Sequence, residues 1–219
     1  MKPLYQEIER VQTVRDSNGS MSHEMSRDQF AWGLSNGITV LAISGVFWLS
    51  LGAWATGFGG LLVALLPIFL VGGILVRASL RLRRRFPRFS PRSLRGAPKG
   101  SLTRRIIVGF YAVTAAQWLS IVLVGGICSA LNRTSLIWPL IGLVVSLHFL
   151  PLGWLFGVRS YYLLAVMGTV ITLVSIVGFT DGLRLVAVGL GLGLLMIAGA
   201  TYLIANAESL VGTGALPPS

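Results

Sequence analysis

Acidic side chains are scarce in this sequence, and between Arg77 and Arg105 there is none. The 219 residues hold seven Asp and Glu, two His and one Cys. Each shortage excludes something. A single cysteine, Cys128, cannot form an intrachain disulfide, so the redox compartment is not legible from it. With His23 in a polar leading stretch and no carboxylate deep in an apolar run, there is no metal-ligand spacing and no Ser–His–Asp set. Hydrolases, pumps driven through buried acids and redox enzymes lose their chemical basis. A non-enzyme with no cofactor and no metal is expected. Charged residues of all kinds make up 11% of the chain, against about a quarter in a soluble domain. That is too few to dress a water-facing surface.

What is present is apolar: 54% of the residues are hydrophobic. A helix crosses a hydrocarbon core of about 30 Å with roughly 20 residues. Six runs meet that length: Gly37–Thr56, Phe58–Val76, Ile106–Leu131, Leu136–Phe156, Tyr161–Phe179 and Leu183–Ala205. Barrel strands would be about half as long and would alternate with polar positions. The expectation is an all-α, polytopic transmembrane bundle of six helices.

The net charge of +11 has one source. Arg77, Arg81, Arg83, Arg84, Arg85, Arg88, Arg92, Arg95, Lys99, Arg104 and Arg105 fall in one stretch, and the remaining basic residues are balanced by the acids. Short loops rich in Lys and Arg stay in the cytoplasm. Residues 77–105 are therefore predicted inside, and the even number of spans puts both termini there in a plasma membrane. Residues 37–206 form the membrane domain. Residues 1–36 form a polar cytosolic segment, where Leu4, Ile8, Val11 and Val14 recur at helical spacing and Ser22–Trp32 suggests a second amphipathic piece. The first long apolar run lies behind this mixed-charge stretch, unlike the core of a cleaved leader. Residues 207–219 are expected to form a disordered tail.

The stretch "SLHFLPLGWLFGVRSYY" concentrates the polar signals. Trp154, Arg159, Tyr161 and Tyr162 are predicted as interface anchors, with ring bodies among acyl chains and polar tips among headgroups. His148 lies near the middle of the fourth run, where a polar ring turns away from lipid. Pro151 cannot donate to the carbonyl of Leu147, which predicts a kink beside the histidine. Gln117 and Trp118 near the centre of the third run, and Trp48 in the first, are predicted to join His148 in a midplane cluster. That cluster serves either as helix–helix hydrogen-bonding groups or as a small-solute or proton site.

Three further patterns carry expectations. The Arg-rich segment is interleaved with Leu80, Leu82, Phe86, Phe89 and Leu94, which suits an anionic phospholipid surface or a partner; tethering at both ends argues against nucleic acid. Arg81, Arg83, Arg84, Arg85, Arg88, Arg92 and Arg95 are the expected lipid contacts. Gly189 and Gly193 form a G-x-x-x-G pair suited to oligomer contact, while Thr169, Thr172 and Ser175 are expected to back-bond along their own helix. The "WLSLG" of Trp48–Gly52 echoes the "FLPLG" of Phe149–Gly153, as a 3+3 inverted repeat would. "NRTS" at Asn132 and "NGS" at Asn18 match a weak glycosylation pattern.

Across "GLVVSLHFLPLGWLF" and "YYLLAVMGT", the chain resembles a family of small bacterial multi-span membrane proteins of unknown function. These carry an L-H-F-L-P-L segment followed by paired tyrosines and a glycine. The resemblance implies architecture and no activity.

Overall fold

The computed structural model describes residues 27–85 and 102–213. The described residues form helices α1 (Arg27–Ala55), α2 (Phe58–Arg85), α3 (Leu102–Ala130), α4 (Ile137–Leu147), α5 (Phe149–Phe156), α6 (Arg159–Gly178), α7 (Asp181–Ala205) and α8 (Ala207–Thr213), with a 3-10 turn at Thr134–Leu136 before α4. Six segments are long and apolar enough to cross a membrane: Gly33–Ala55, Val63–Arg84, Val108–Ala130, Thr134–Phe156, Arg159–Gly178 and Asp181–Ala205. The six-helix all-α bundle of a multi-pass membrane protein is thus the architecture. The amphipathic pattern from Leu4 to Val14, Arg88, Arg92, Arg95 and residues 214–219 lie outside the described residues.

Several helices run past their apolar limits. α1 starts at Arg27 instead of Gly37, absorbing much of the separate piece predicted at Ser22–Trp32. α2 continues from Val76 to Arg85. Hydropathy ends where the arginines begin, but "RASLRLRRR" has neither Gly nor Pro and, apart from Ser79, is built from Ala, Leu and Arg, all strong helix formers. The first half of the expected disordered tail is α8, whose Ala207 is buried and whose Leu210 packs on the core.

The ends are built locally. Asn132 takes a left-handed φ of 54°, so Arg133 N–H reaches the Cys128 carbonyl (2.8 Å) and Asn132 N–H that of Ser129 (3.1 Å). This is a Schellman closure, and Asn is one of the few side chains that accept the left-handed position. Between α6 and α7, Arg184 donates to the Asp181 carboxylate (2.7 Å) and the Phe179 carbonyl (3.1 Å), which ties the turn.

In space the helices form a row: α2 on α1, α1 on α7, α7 on α6, α6 on α4 and α5, and these on α3. The α1–α7 contact is the most extensive, and glycine makes it so. A Cβ added at Gly189 would lie 2.5 Å from Gly52 Cα, and one at Gly193 would lie 2.7 Å from Leu49 N. Backbone meets backbone there. This corrects the assignment of Gly189 and Gly193 to oligomer contact: both are buried against α1 of their own chain. The packing is also unequal between the two halves of the chain. α6 and α7 pack together, whereas α2 and α3, their counterparts in a 3+3 scheme, do not pack against each other.

Small residues seat the other pairs. Gly142 faces Leu192 and Trp48, Gly168 faces Ser146, and Gly199 faces Leu164. Thr172 and Ser175 back-bond to Gly168 (2.8 Å) and Ile171 (2.7 Å), as expected of hydroxyls in a helix. α1 and α2 are clasped by hydroxyls. Ser79 Oγ donates to the Ser35 carbonyl (2.8 Å) and lies 2.7 Å from Thr39 Oγ1 and 3.2 Å from Ser35 Oγ.

Candidate functional site

Two places in the bundle hold polar groups that could meet a ligand. One is the break between α4 and α5; the other is the end where the arginines gather.

The break is where the proline predicts it. α4 stops at Leu147 and α5 begins at Phe149, with His148 between them. His148 N–H still reaches the Val144 carbonyl (3.1 Å), while the bond from Leu152 N–H to the His148 carbonyl is stretched to 3.4 Å. The imidazole is half-buried. Its Nδ1 bonds to the Val145 carbonyl, so Nδ1 carries the proton, because a carbonyl only accepts. In the neutral ring Nε2 is then an acceptor. The ring lies on Phe149, centroids 4.4 Å apart.

The structure divides the four residues of the predicted cluster. Gln117 and His148 share a level. A Cβ at Gly109 would touch Leu155 at 3.0 Å, and the rings of Phe110 and Phe156 are 6.3 Å apart, which fixes the antiparallel register of α3 on α5. From Gly109 to Gln117 and from Leu155 back to His148 the rise is nearly equal, at about 1.5 Å per residue. Gln117 is half-buried on the arc of α3 shared with Gly109, Val113 and Cys128, and it makes no hydrogen bond among the described residues. Trp48 is elsewhere: it is 2% exposed in the core and packs over Gly142, more than a turn from His148. Trp118 is 65% exposed, about 100° around α3 from Gln117 and turned away from the bundle. Four residues in one pocket is therefore not the arrangement found.

Nor do all the expected anchors lie at an interface. Trp154 and Tyr162 are exposed, but Tyr161 is buried: its hydroxyl lies over Gly37 of α1, and its ring packs near those of Phe149 and Phe156. A glycine on α1 makes the room. The Ser35–Thr39–Ser79 clasp was missed as well; the only sequence signal is the i, i+4 spacing of Ser35 and Thr39.

At the arginine end, the extension of α2 is two-faced. Leu75, Ser79 and Leu82, at i, i+4 and i+7, are buried against the bundle. Arg77, Arg81, Arg83 and Arg84 are exposed. Cations in a last turn also complement the negative end of the helix dipole. Beside them, α7 ends at Asn206, whose side-chain amide bonds back to the Tyr202 carbonyl (2.9 Å) while its own carbonyl accepts from Leu210 N–H (2.9 Å). This corner packs α8 on α1 and α7 and sets its first residues across from α2. A groove of about 300 Å³ lies between them, lined by Ala78, Arg81 and Leu82 of α2, Ile204 and Ala205 of α7, and Ala207 and Glu208 of α8. Arg81 makes no hydrogen bond or ion pair with any described residue. Among the described residues no group of His, Cys, Asp and Glu could hold a metal ion.

No family model, no curated protein and no solved structure matches the chain. The function is therefore argued from these residues.

Proposed function

We propose that this protein is a non-enzymatic, multi-pass protein of the plasma membrane that gathers anionic phospholipid through its Arg-rich segment, with both termini in the cytoplasm. One observation carries the reading. α2 runs as unbroken helix past its apolar turns and presents Arg77, Arg81, Arg83 and Arg84 to the surroundings at the level where its span ends. No acid lies nearby in sequence to neutralise them. Each such residue near an anionic leaflet contributes about 1 kcal/mol. Holding several on one helix, rather than on a floppy loop, lowers the ordering cost of meeting a headgroup layer. The same cations favour retention of this end in the cytoplasm.

The test is lipid co-purification. Replacing Arg83, Arg84 and Arg85 with Gln should lower the anionic phospholipid retained by purified protein by roughly a hundredfold in affinity terms, while reporter fusions still place the loop inside. Unchanged retention would remove the reading.

A second reading, carriage or sensing of a small solute at mid-bundle, is favoured by the shared level of Gln117 and His148. The amide is a donor with no partner among the described residues, and Nε2 of a neutral His148 is an acceptor. A His148→Ala protein that folds normally and keeps an unaltered profile of co-purified small molecules would dispose of it.

A further inference from the structure

We propose that the groove between α2 and the α7–α8 corner binds the headgroup of a phospholipid that carries a primary amine, with the phosphate on Arg81 and the ammonium on Glu208. This deepens the lipid-gathering reading and rests on its placement of this end at headgroup depth. The groove lies where two apolar spans finish, Val63–Arg84 and Asp181–Ala205. A ligand entering it can leave its acyl chains along the exposed Val71 and Ile74 of α2.

The recess exists because its α2 and corner walls are cut back to methyl groups at Ala78, Ala205 and Ala207. Its size, about 300 Å³, is at the small end of ligand sites. That suits a headgroup and excludes the rest of the lipid. Arg81 and Glu208 line the same groove yet form no ion pair with each other, so opposite charges stand apart on its lining. A guanidinium with no described partner offers a planar fork of donors matched to phosphate oxygens. Glu208 has an interaction of its own, but a carboxylate has about four acceptor positions, which leaves room for an ammonium. The two signs also discriminate. A headgroup ending in a second anion would meet Glu208 with like charge, and a neutral sugar alcohol would gain no charge attraction from it.

The experiment uses the full-length protein in bilayer discs of equal phosphatidylethanolamine and phosphatidylglycerol. It measures the lipids that remain bound through detergent extraction by native mass spectrometry. The unaltered protein should retain both lipids, phosphatidylethanolamine in the groove and phosphatidylglycerol along the Arg-rich segment. Glu208→Gln, at an exposed position, should reduce that retention by roughly tenfold, the worth of a hydrogen bond to a charged group, and leave phosphatidylglycerol unaffected. Arg81→Gln should reduce retention of both. Ala78→Leu, which fills the recess without touching charge, should also lower phosphatidylethanolamine. Absence of retained phosphatidylethanolamine in the unaltered protein, or an identical response of both lipids to Glu208→Gln, overturns the proposal. If the Arg83, Arg84 and Arg85 substitutions lower phosphatidylglycerol while the groove variants change nothing, the broad reading stands and the groove site falls. The reverse pattern keeps the groove and removes the broad reading.

Discussion

α1 and α3 are both single apolar spans, yet one is embedded and the other barely held. In the apolar window of α1, 39% of residues are buried; in that of α3, 6% are. Hydrophobicity does not separate them, since lipid is as apolar as leucine and gives helices no reason to associate. Glycine placement does. Gly45 and Gly52 meet the glycines of α7 at backbone distance, whereas a Cβ at Gly125 or Gly126 of α3 would find nothing within 4 Å. In this bundle a glycine holds a helix only where a partner, backbone or side chain, comes close enough to fill the notch it leaves.

The sharpest test of that contrast pairs two glycines. Gly189→Leu should destabilise by about 3 kcal/mol or prevent folding, because the clash is with backbone and cannot be relieved by a rotamer. Gly125→Leu should leave thermal stability in detergent nearly unchanged. Equal losses at the two sites would sink the explanation. Next in size is the α1–α2 clasp. A double-mutant cycle with Ser35→Ala and Ser79→Ala should show a coupling of about 1 kcal/mol, and additive behaviour would mean the hydroxyls act independently. Pro151→Ala should supply the missing donor to Leu147 and merge α4 with α5, for a gain of up to about 1 kcal/mol. The check is a lengthened spin-label distance between Ile137 and Phe156; an unaltered distance would place the cause of the break elsewhere. The smallest effect is expected at α3. Gln117→Leu should change stability by no more than about 0.5 kcal/mol, since its amide has no described partner. A large loss there would show that α3 is held by polar contact after all.

Six spans were legible in the sequence because hydropathy over about 20 residues has few other causes. So was the break at His148, which follows from the covalent structure of Pro151. What the sequence could not reveal was pairing. Trp118 and Gln117 are adjacent, and only the face that α3 turns toward Gly109's partner Leu155 decides which of them points inward. Tyr161 read as an anchor because nothing in its own helix announces Gly37. Ser35 and Ser79 stand 44 positions apart and become a clasp only when α2 folds back. The extension of α2 was hidden for another reason. A hydropathy window stops at charge, whereas helix propagation stops at Gly and Pro.

The union of α1 with α7 carries a consequence for biogenesis. A ribosome delivers α1 into the bilayer long before it makes α7. In the interval the notch at Gly45 and Gly52 has only acyl chains or the insertion machinery for company. α1 therefore waits as a sticky, half-finished surface while four further crossings are laid down. A stall after Gly178 would strand it there, exposed to the first stray helix with a smooth side.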